Sequence, residues 1–338
     1  MKVSPLNFFI VFLFIFPLIS STRSFSQKTQ IRGFVDATTS YEDGKLSFGL
    51  GEQDLFITSE LNDRFSFLGE SVFKFSLGSP TSFDVSVERV IMKFNYKGNH
   101  NLLLGKHHTP VNYWNDTYHH GRVFFPTIDR PLVFSAGLLP LHTTGISAQG
   151  LNLGELRFGY DIMIGNGLGS GELKDNDKNK SFTAAVHIKP IDGLRLGVSY
   201  YHDRISKGAR VHEHIIINDV KQQLTNASIA YFGKKVEFLS ETLFAFNHTD
   251  STGSKRTIGT YTYAGIKIKE KWIPYIRFDH INYKDGEIFF HKDNTTSFIG
   301  GLRYEINYLA VVKLEYQHEK REMNGRIDRV VAQVAIGF

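Results

Sequence analysis

What most limits the fold of this chain is the spacing of its apolar residues beyond residue 30. They recur at every second position over segments of about 9–13 residues. Val330, Ala332, Val334, Ile336 and Phe338 alternate with Arg329, Gln333 and Gly337. Phe182, Ala184, Val186 and Ile188 alternate with Thr183, His187 and Lys189, and Trp272, Ile276 and Phe278 with Arg277 and Asp279. A period of two sends successive side chains to opposite faces of a strand. Strands of soluble proteins average about 5–6 residues, whereas a tilted strand that crosses a bilayer needs about 9–11. Among the later segments no apolar run has the length of a membrane helix. A membrane reading therefore requires a closed barrel, the one sheet that leaves no edge in lipid.

The N-terminus is the exception to the alternation. Lys2 precedes an unbroken apolar run from Phe8 to Ile19, and Ser24-Phe25-Ser26 offers a small-x-small cleavage site before Gln27. Residues 1–26 are expected to be a secretory signal peptide, because about twelve apolar residues are too few to span ~30 Å as an uncleaved helical anchor. Residues 27–338 then form the mature chain. With no cysteine the full chain has no disulfide framework, cysteine zinc site or thiol nucleophile, and its 29 Phe, 15 Tyr and 30 Gly against 9 Pro over 338 residues fit strands and turns rather than disorder. A net charge of +5 over 338 residues is no argument for nucleic acid.

The alternation predicts an all-β fold: a transmembrane antiparallel up-and-down β-barrel of about sixteen strands, within a range of about 14–18. The strands are expected near 30–41, 52–61, 64–77, 82–96, 100–107, 144–150, 154–165, 181–189, 193–203, 222–232, 235–247, 256–268, 271–282, 296–305, 308–318 and 328–338. Their connections alternate in length. Short turns such as Asn62-Asp63, Gly233-Lys234 and Ile306-Asn307 are separated by longer links at 42–51, 108–143, 166–180, 204–221, 248–255, 283–295 and 319–327, with 78–81 the one short link out of place. Short periplasmic turns and long external loops are the habit of outer-membrane barrels. In such a barrel the apolar face of each strand meets lipid and the ionic face meets the lumen. Arg32, Lys93, Lys189, Arg195, Arg277, Arg303, Lys313 and Arg329 are expected in the lumen, with Asp36, Glu237, Glu241, Asp279, Glu305 and Glu315.

Three stretches resemble the outer-membrane porins of Gram-negative bacteria related to the phosphate-selective family: LLLGKHHTPVNYWND (Leu102–Asp116), GRVFFPTIDRP (Gly121–Pro131), and FGYDIMIGNG with FTAAVHIKPIDGLRLGVSYYHD within Phe158–Asp203. The resemblance implies a loop folded into the pore and basic residues that meet anions. It is spread over most of the mature chain, but no dense basic ladder accompanies it. Phe338 resembles the terminal aromatic that serves as assembly signal in bacterial outer-membrane proteins.

The link 108–143 is the strongest functional candidate, since loops above about 12–15 residues are usually functional or disordered and this one is rich in aromatics. Folded inward, it would place Arg122 and Arg130 at the constriction with Asp116, Asp129 and Lys106; otherwise it is a surface lid. Its histidines, His107, His108, His119, His120 and His142, lack a regular metal-ligand spacing. Asp175-Asn176-Asp177 begins like a calcium loop, but Lys180 and Val186 stand where Gly and Glu are required. No metal, cofactor or catalysis is therefore expected, although a Ser-His pair assembled across strands is left open. The expected function is passive diffusion of small hydrophilic solutes across the cell outer membrane with a mild anion preference; the alternative is a non-conducting receptor or structural barrel in an outer-membrane complex. Expected partners are outer-membrane lipid, the barrel-assembly machinery, hydrophilic or anionic solutes and, as one assembly, a homotrimer.

Overall fold

The structure, a computed structural model, describes residues 27–76, 82–118, 121–168, 175, 177–211, 214–284, 286–287 and 293–338. The expected signal peptide and His119 and His120 lie outside the described residues.

The chain lays down β1 (Lys28–Glu42), β2 (Lys45–Glu60), β3 (Phe65–Phe75), β4 (Phe83–Lys97), β5 (His100–His108), β6 (His142–Leu153), β7 (Phe158–Gly165), β8 (Ser181–Ile188) and β9 (Leu194–Ile205). A two-residue ladder, β10 (Arg210–Val211) with β11 (His214–Ile215), interrupts the wall. The wall resumes with β12 (Val220–Phe232), β13 (Val236–Thr249), β14 (Gly253–Ile266), β15 (Trp272–Tyr283), β16 (Thr295–Asn307), β17 (Ala310–Arg321) and β18 (Gly325–Gly337). All but β10 and β11 form one closed antiparallel barrel of 16 strands. No described helix is long and apolar enough to cross a membrane.

All sixteen expected strands are present, but three of the expected long links are tight turns. β2 begins at Lys45 and leaves only Asp43-Gly44, both at positive φ, between the strands. Likewise β14 begins at Gly253 and β18 at Gly325. The starts of β14 and β18 are polar, so their sequences read as loops, yet their backbones continue the ladder. In β2 a second effect acts. The register with β1 shifts between Val35 and Ala37, so the alternation of Leu46, Phe48 and Leu50 changes phase before Glu52 and Asp54. A β-bulge of this kind breaks the period-two signature. The turn expected at 151–153 also moves, because β6 runs to Leu153 and β7 starts at Phe158.

The two faces differ as a barrel in lipid requires. Ile276, Phe298, Leu314 and Val334 are exposed on the outer face, while their strand neighbours Arg277, Lys313 and Glu315 are buried on the inner one. At the short-turn end, rings pair on the surface, Trp272 with Tyr304 at 4.3 Å and Phe65 with Phe94 at 4.6 Å. Such rings suit the edge of the hydrocarbon, where one end of the side chain is apolar and the other wet.

The barrel closes where β1 meets β18. Beyond the paired Phe34 and Gly337, Phe338 and Gly33 exchange both backbone hydrogen bonds, at 2.9 and 3.0 Å. The Phe338 ring lies over Gly33, and a Cβ there would come within 2.3 Å of it. Gly33→Val should therefore displace Phe338 and weaken the seam. Its fraction of heat-modifiable, fast-migrating protein in detergent gels should fall below wild type, with far-UV β content reduced in step. A fully heat-modifiable Gly33→Val barrel would show that Phe338 does not help to close the wall.

Candidate functional site: the lumen and its inner loop

Between β5 and β6 the chain makes two short helices, α1 (Tyr113–Tyr118) and α2 (Leu132–Ser135), around a single 3-10 turn at Arg122–Phe124. Asn115 joins the two legs of this loop, its Nδ2 donating to the carbonyls of Thr109 (2.9 Å) and Leu141 (3.0 Å). A segment so poor in ladder bonds must find other partners for its amides when it leaves water. It finds them on the inner wall. The Glu241 carboxylate accepts the N–H groups of Tyr113 (2.7 Å) and Trp114 (3.0 Å). Glu315 accepts that of Ile128 (2.6 Å), and Asp54 that of Gly121 (3.2 Å).

The loop carbonyls are met by bases. Lys313 Nζ donates to the carbonyls of Arg122 (2.6 Å) and Thr127 (3.2 Å). Arg303 donates to Pro126 O (3.1 Å), and Arg277 to Asp129 O (2.6 Å) and Arg130 O (3.3 Å). Arg277 is itself held by Asp279, and Arg303 by Glu237. Apolar contact completes the attachment. Trp114 is fully buried, with Phe125 at 5.5 Å and Tyr261 at 5.9 Å between ring centroids. Val133 lies against Gly259, where a Cβ would come within 2.6 Å of its methyl. The loop thus packs on the wall from β9 to β17, on the face opposite the lipid-facing side chains.

Toward β1–β4 the loop presents charge. Arg122 approaches Asp36 (3.6 Å), Glu52 (3.5 Å) and Asp129 (3.8 Å), and Arg130 approaches Glu52 (3.6 Å). Both guanidiniums lie close to the Phe125 ring. Burial disfavours both charges. At Arg122 the carboxylates Glu52, Asp36 and Asp129 outweigh it and raise the pKa, whereas at Arg130 the net direction is downward, with Arg122 adding repulsion. On the same side Lys74 pairs with Glu52 and Arg89 with Glu70. His142 Nε2 is 3.2 Å from Glu88, and the rings of His108 and His142 are 5.4 Å apart. Across the lumen, Arg195 reaches Asp116 at 2.9 Å and stacks over Tyr113 at 4.9 Å.

The expected site residues are divided among several places on the wall and loop. Arg122, Arg130 and Asp129 come together, with Asp129 also held by Arg329 at 3.0 Å, while Asp116 joins Arg195 on the opposite side. Arg277, Arg303 and Lys313 face inward but are buried under the loop rather than lining open lumen. Arg32 and Lys93 face inward near the short-turn mouth. Arg32 pairs with Phe56, and Lys93 borders a recess of about 460 Å³ with Glu60, Asn95 and Asn101. Lys106 is a correction. It is paired with Val90 and follows Leu104 on the lipid-facing side, and its Nζ donates to Val87 O at 2.6 Å. Sequence reasoning missed Glu52, Asp54, Glu70 and Glu88, the acidic row on β2–β4. The Glu52/Asp54 spacing was the available signal, hidden by the change of phase in β2.

No protein-family model matches the chain, and no curated protein sequence does. Solved structures do. The anion-selective porin from Comamonas acidovorans superposes with a TM-score of 0.68 at 11% identity, over 93% of this chain and 100% of that one. The fold is that of the Gram-negative outer-membrane porins. OmpT of Vibrio cholerae in its trimer form follows with a TM-score of 0.67 at 14% identity, over 93% and 100% of the two chains. The outer-membrane channel DcaP of Acinetobacter baumannii gives 0.60 at 11%, over 92% and 97%. Within this porin fold the inner loop depends on Lys313. Lys313→Met takes the charged donor from the Thr127 carbonyl, at a cost of about 1–3 kcal/mol, and leaves the Arg122 carbonyl with only the Phe125 N–H at 3.3 Å. The folded variant should be cleaved faster within residues 122–130 by an added protease than wild type. Equal cleavage rates would show that other contacts suffice to hold the loop.

Proposed function

We propose that the protein is a non-catalytic diffusion channel for small hydrophilic solutes in the outer membrane, with a mild preference for anions. The observation that carries the preference is the layering of charge on the β1–β4 side. Side-chain exposure is 42%, 21%, 19% and 18% for Lys74, Arg89, Arg122 and Arg130, but 10%, 0% and 2% for their partners Glu52, Glu70 and Asp36. The carboxylates are rooted in the wall and the bases cover them, so cationic atoms meet the pore water. A narrow, low-dielectric passage focuses that field. Asp116 and Asp129 lie more open than the arginines they touch, which keeps the preference small. The same reading includes a homotrimer, as the Vibrio cholerae neighbour's trimer form suggests, and Phe338 as the mark read by the assembly machinery.

Reversal potentials in a salt gradient test the charge argument. Arg122→Ala with Arg130→Ala should shift selectivity toward cations by uncovering Asp36 and Glu52. The shift should fade between 0.1 and 1 M salt, as the screening length drops from about 10 Å to about 3 Å. Deleting residues 115–130 should raise single-channel conductance, because the strand ladder does not depend on the loop. Unchanged selectivity and unchanged conductance together would refute the constriction. A wild-type barrel silent in bilayers would favour the alternative, a non-conducting receptor or structural barrel, consistent with the dense packing of the loop.

A further inference from the structure

The lipid-facing rim carries an unusual row of bases at the long-loop end. Arg204 on β9 is directly opposite Lys221 on β12, and Lys221 is directly opposite His248 on β13. One position nearer the bilayer centre on that face, Gln223 opposes both His202 and Phe246, and Phe246 opposes Arg256 on β14. These side chains point outward, because the intervening Tyr201, Asp203, Val220, Gln222, Asn247 and Thr257 are buried on the inner face. Arg204, Lys221 and Arg256 are exposed, and among the described residues none of the three forms an ion pair.

Like charges directly opposite in an antiparallel pair are destabilising, with Cβ atoms only about 4.5–5.5 Å apart. An external anion would relieve the conflict. Immediately toward the bilayer centre the same face becomes apolar, with Val198, Phe182, Phe244 and Phe246 exposed. Bases above an apolar wall match an anionic headgroup above acyl chains. The opposite rim, with its paired Trp272 and Tyr304, offers rings instead. The nearest acid along β12, Asp219, is turned to the loop and accepts Lys207 N–H at 2.7 Å.

We propose that Arg204, Lys221 and Arg256 form a docking rim for the phosphate groups of a phosphorylated lipid in the outer leaflet. His202, Gln223 and His248 complete the polar surface. Each base near an anionic membrane surface adds modestly, so the three together give a large effect on affinity. The inference rests on placement in the outer membrane with the long loops outside, and it is independent of whether the pore conducts.

The test uses the full-length protein purified in mild detergent and native mass spectrometry, with lipid A, enzymatically dephosphorylated lipid A and inorganic phosphate as probes. Lipid A should bind wild type at least tenfold more tightly than the dephosphorylated form, and at least tenfold more tightly than it binds the triple variant Arg204→Ser, Lys221→Ser, Arg256→Ser. Heat-modifiability and bilayer conductance of that variant should match wild type. Equal binding of lipid A by wild type and a folded triple variant would overturn the proposal, as would indifference of wild type to dephosphorylation. Inorganic phosphate binding as tightly as lipid A would also overturn it, leaving a free-anion site. Should the triple variant not fold, the comparison of phosphorylated and dephosphorylated lipid on wild type decides alone. A silent bilayer with lipid binding retained would strike the channel reading and spare this one.

Discussion

In hydrocarbon an unpaired backbone amide has no water to turn to, and that single constraint organises this barrel. Each of the sixteen strands is paired on both sides, so the wall has no edge. The constraint then reappears inside. The loop between β5 and β6 has little hydrogen-bonded structure of its own, and the wall supplies what is missing. Glu241, Glu315 and Asp54 take its N–H groups, while Lys313, Arg303 and Arg277 give to its carbonyls. Many of the ionic side chains in the lumen are therefore structural partners of a backbone before they are features of a pore.

The two halves of the interior are built on different principles. From β9 to β17 the loop is attached by aromatic packing around Trp114 and by buried charges already compensated within the wall, such as Arg277 with Asp279 and Arg303 with Glu237. Toward β1–β4 it makes ion pairs whose basic members remain partly open. Breaking one partner of a buried pair is costly because the other is stranded, whereas the open side tolerates rearrangement. Substitution is therefore more easily accommodated at Arg122 and Arg130 than at Lys313 or Glu241.

Much of the wall was legible because lipid on one face imposes a period of two that survives in single sequences. All sixteen strands left that trace, and Phe338 ended the clearest of them. The errors have local causes. Leu46, Phe48 and Leu50 do alternate, but the bulge opposite Asp36 changes the phase before Glu52, which splits the strand's signature and hides the acidic row. Lys106 stood at the end of a strand with no further alternation to fix its face. The loop attachments were illegible for another reason. Arg277 and Thr127 are 150 residues apart, and no local pattern announces a contact of that range. A base that anchors a loop and a base that lines water look alike along the chain.

The seam between β1 and β18 carries a consequence in time. Most wall strands meet their partner across a short hairpin, but here Gln333 bonds Asp36 across 297 residues. Loop-closure entropy makes such a contact late and slow compared with local pairing. The cylinder cannot shut until its final segment has emerged from synthesis. Until then β1 presents an unsatisfied edge, a surface prone to mispairing with other chains. The closed form is consequently a post-translational product, shut only when β18 covers the edge of β1.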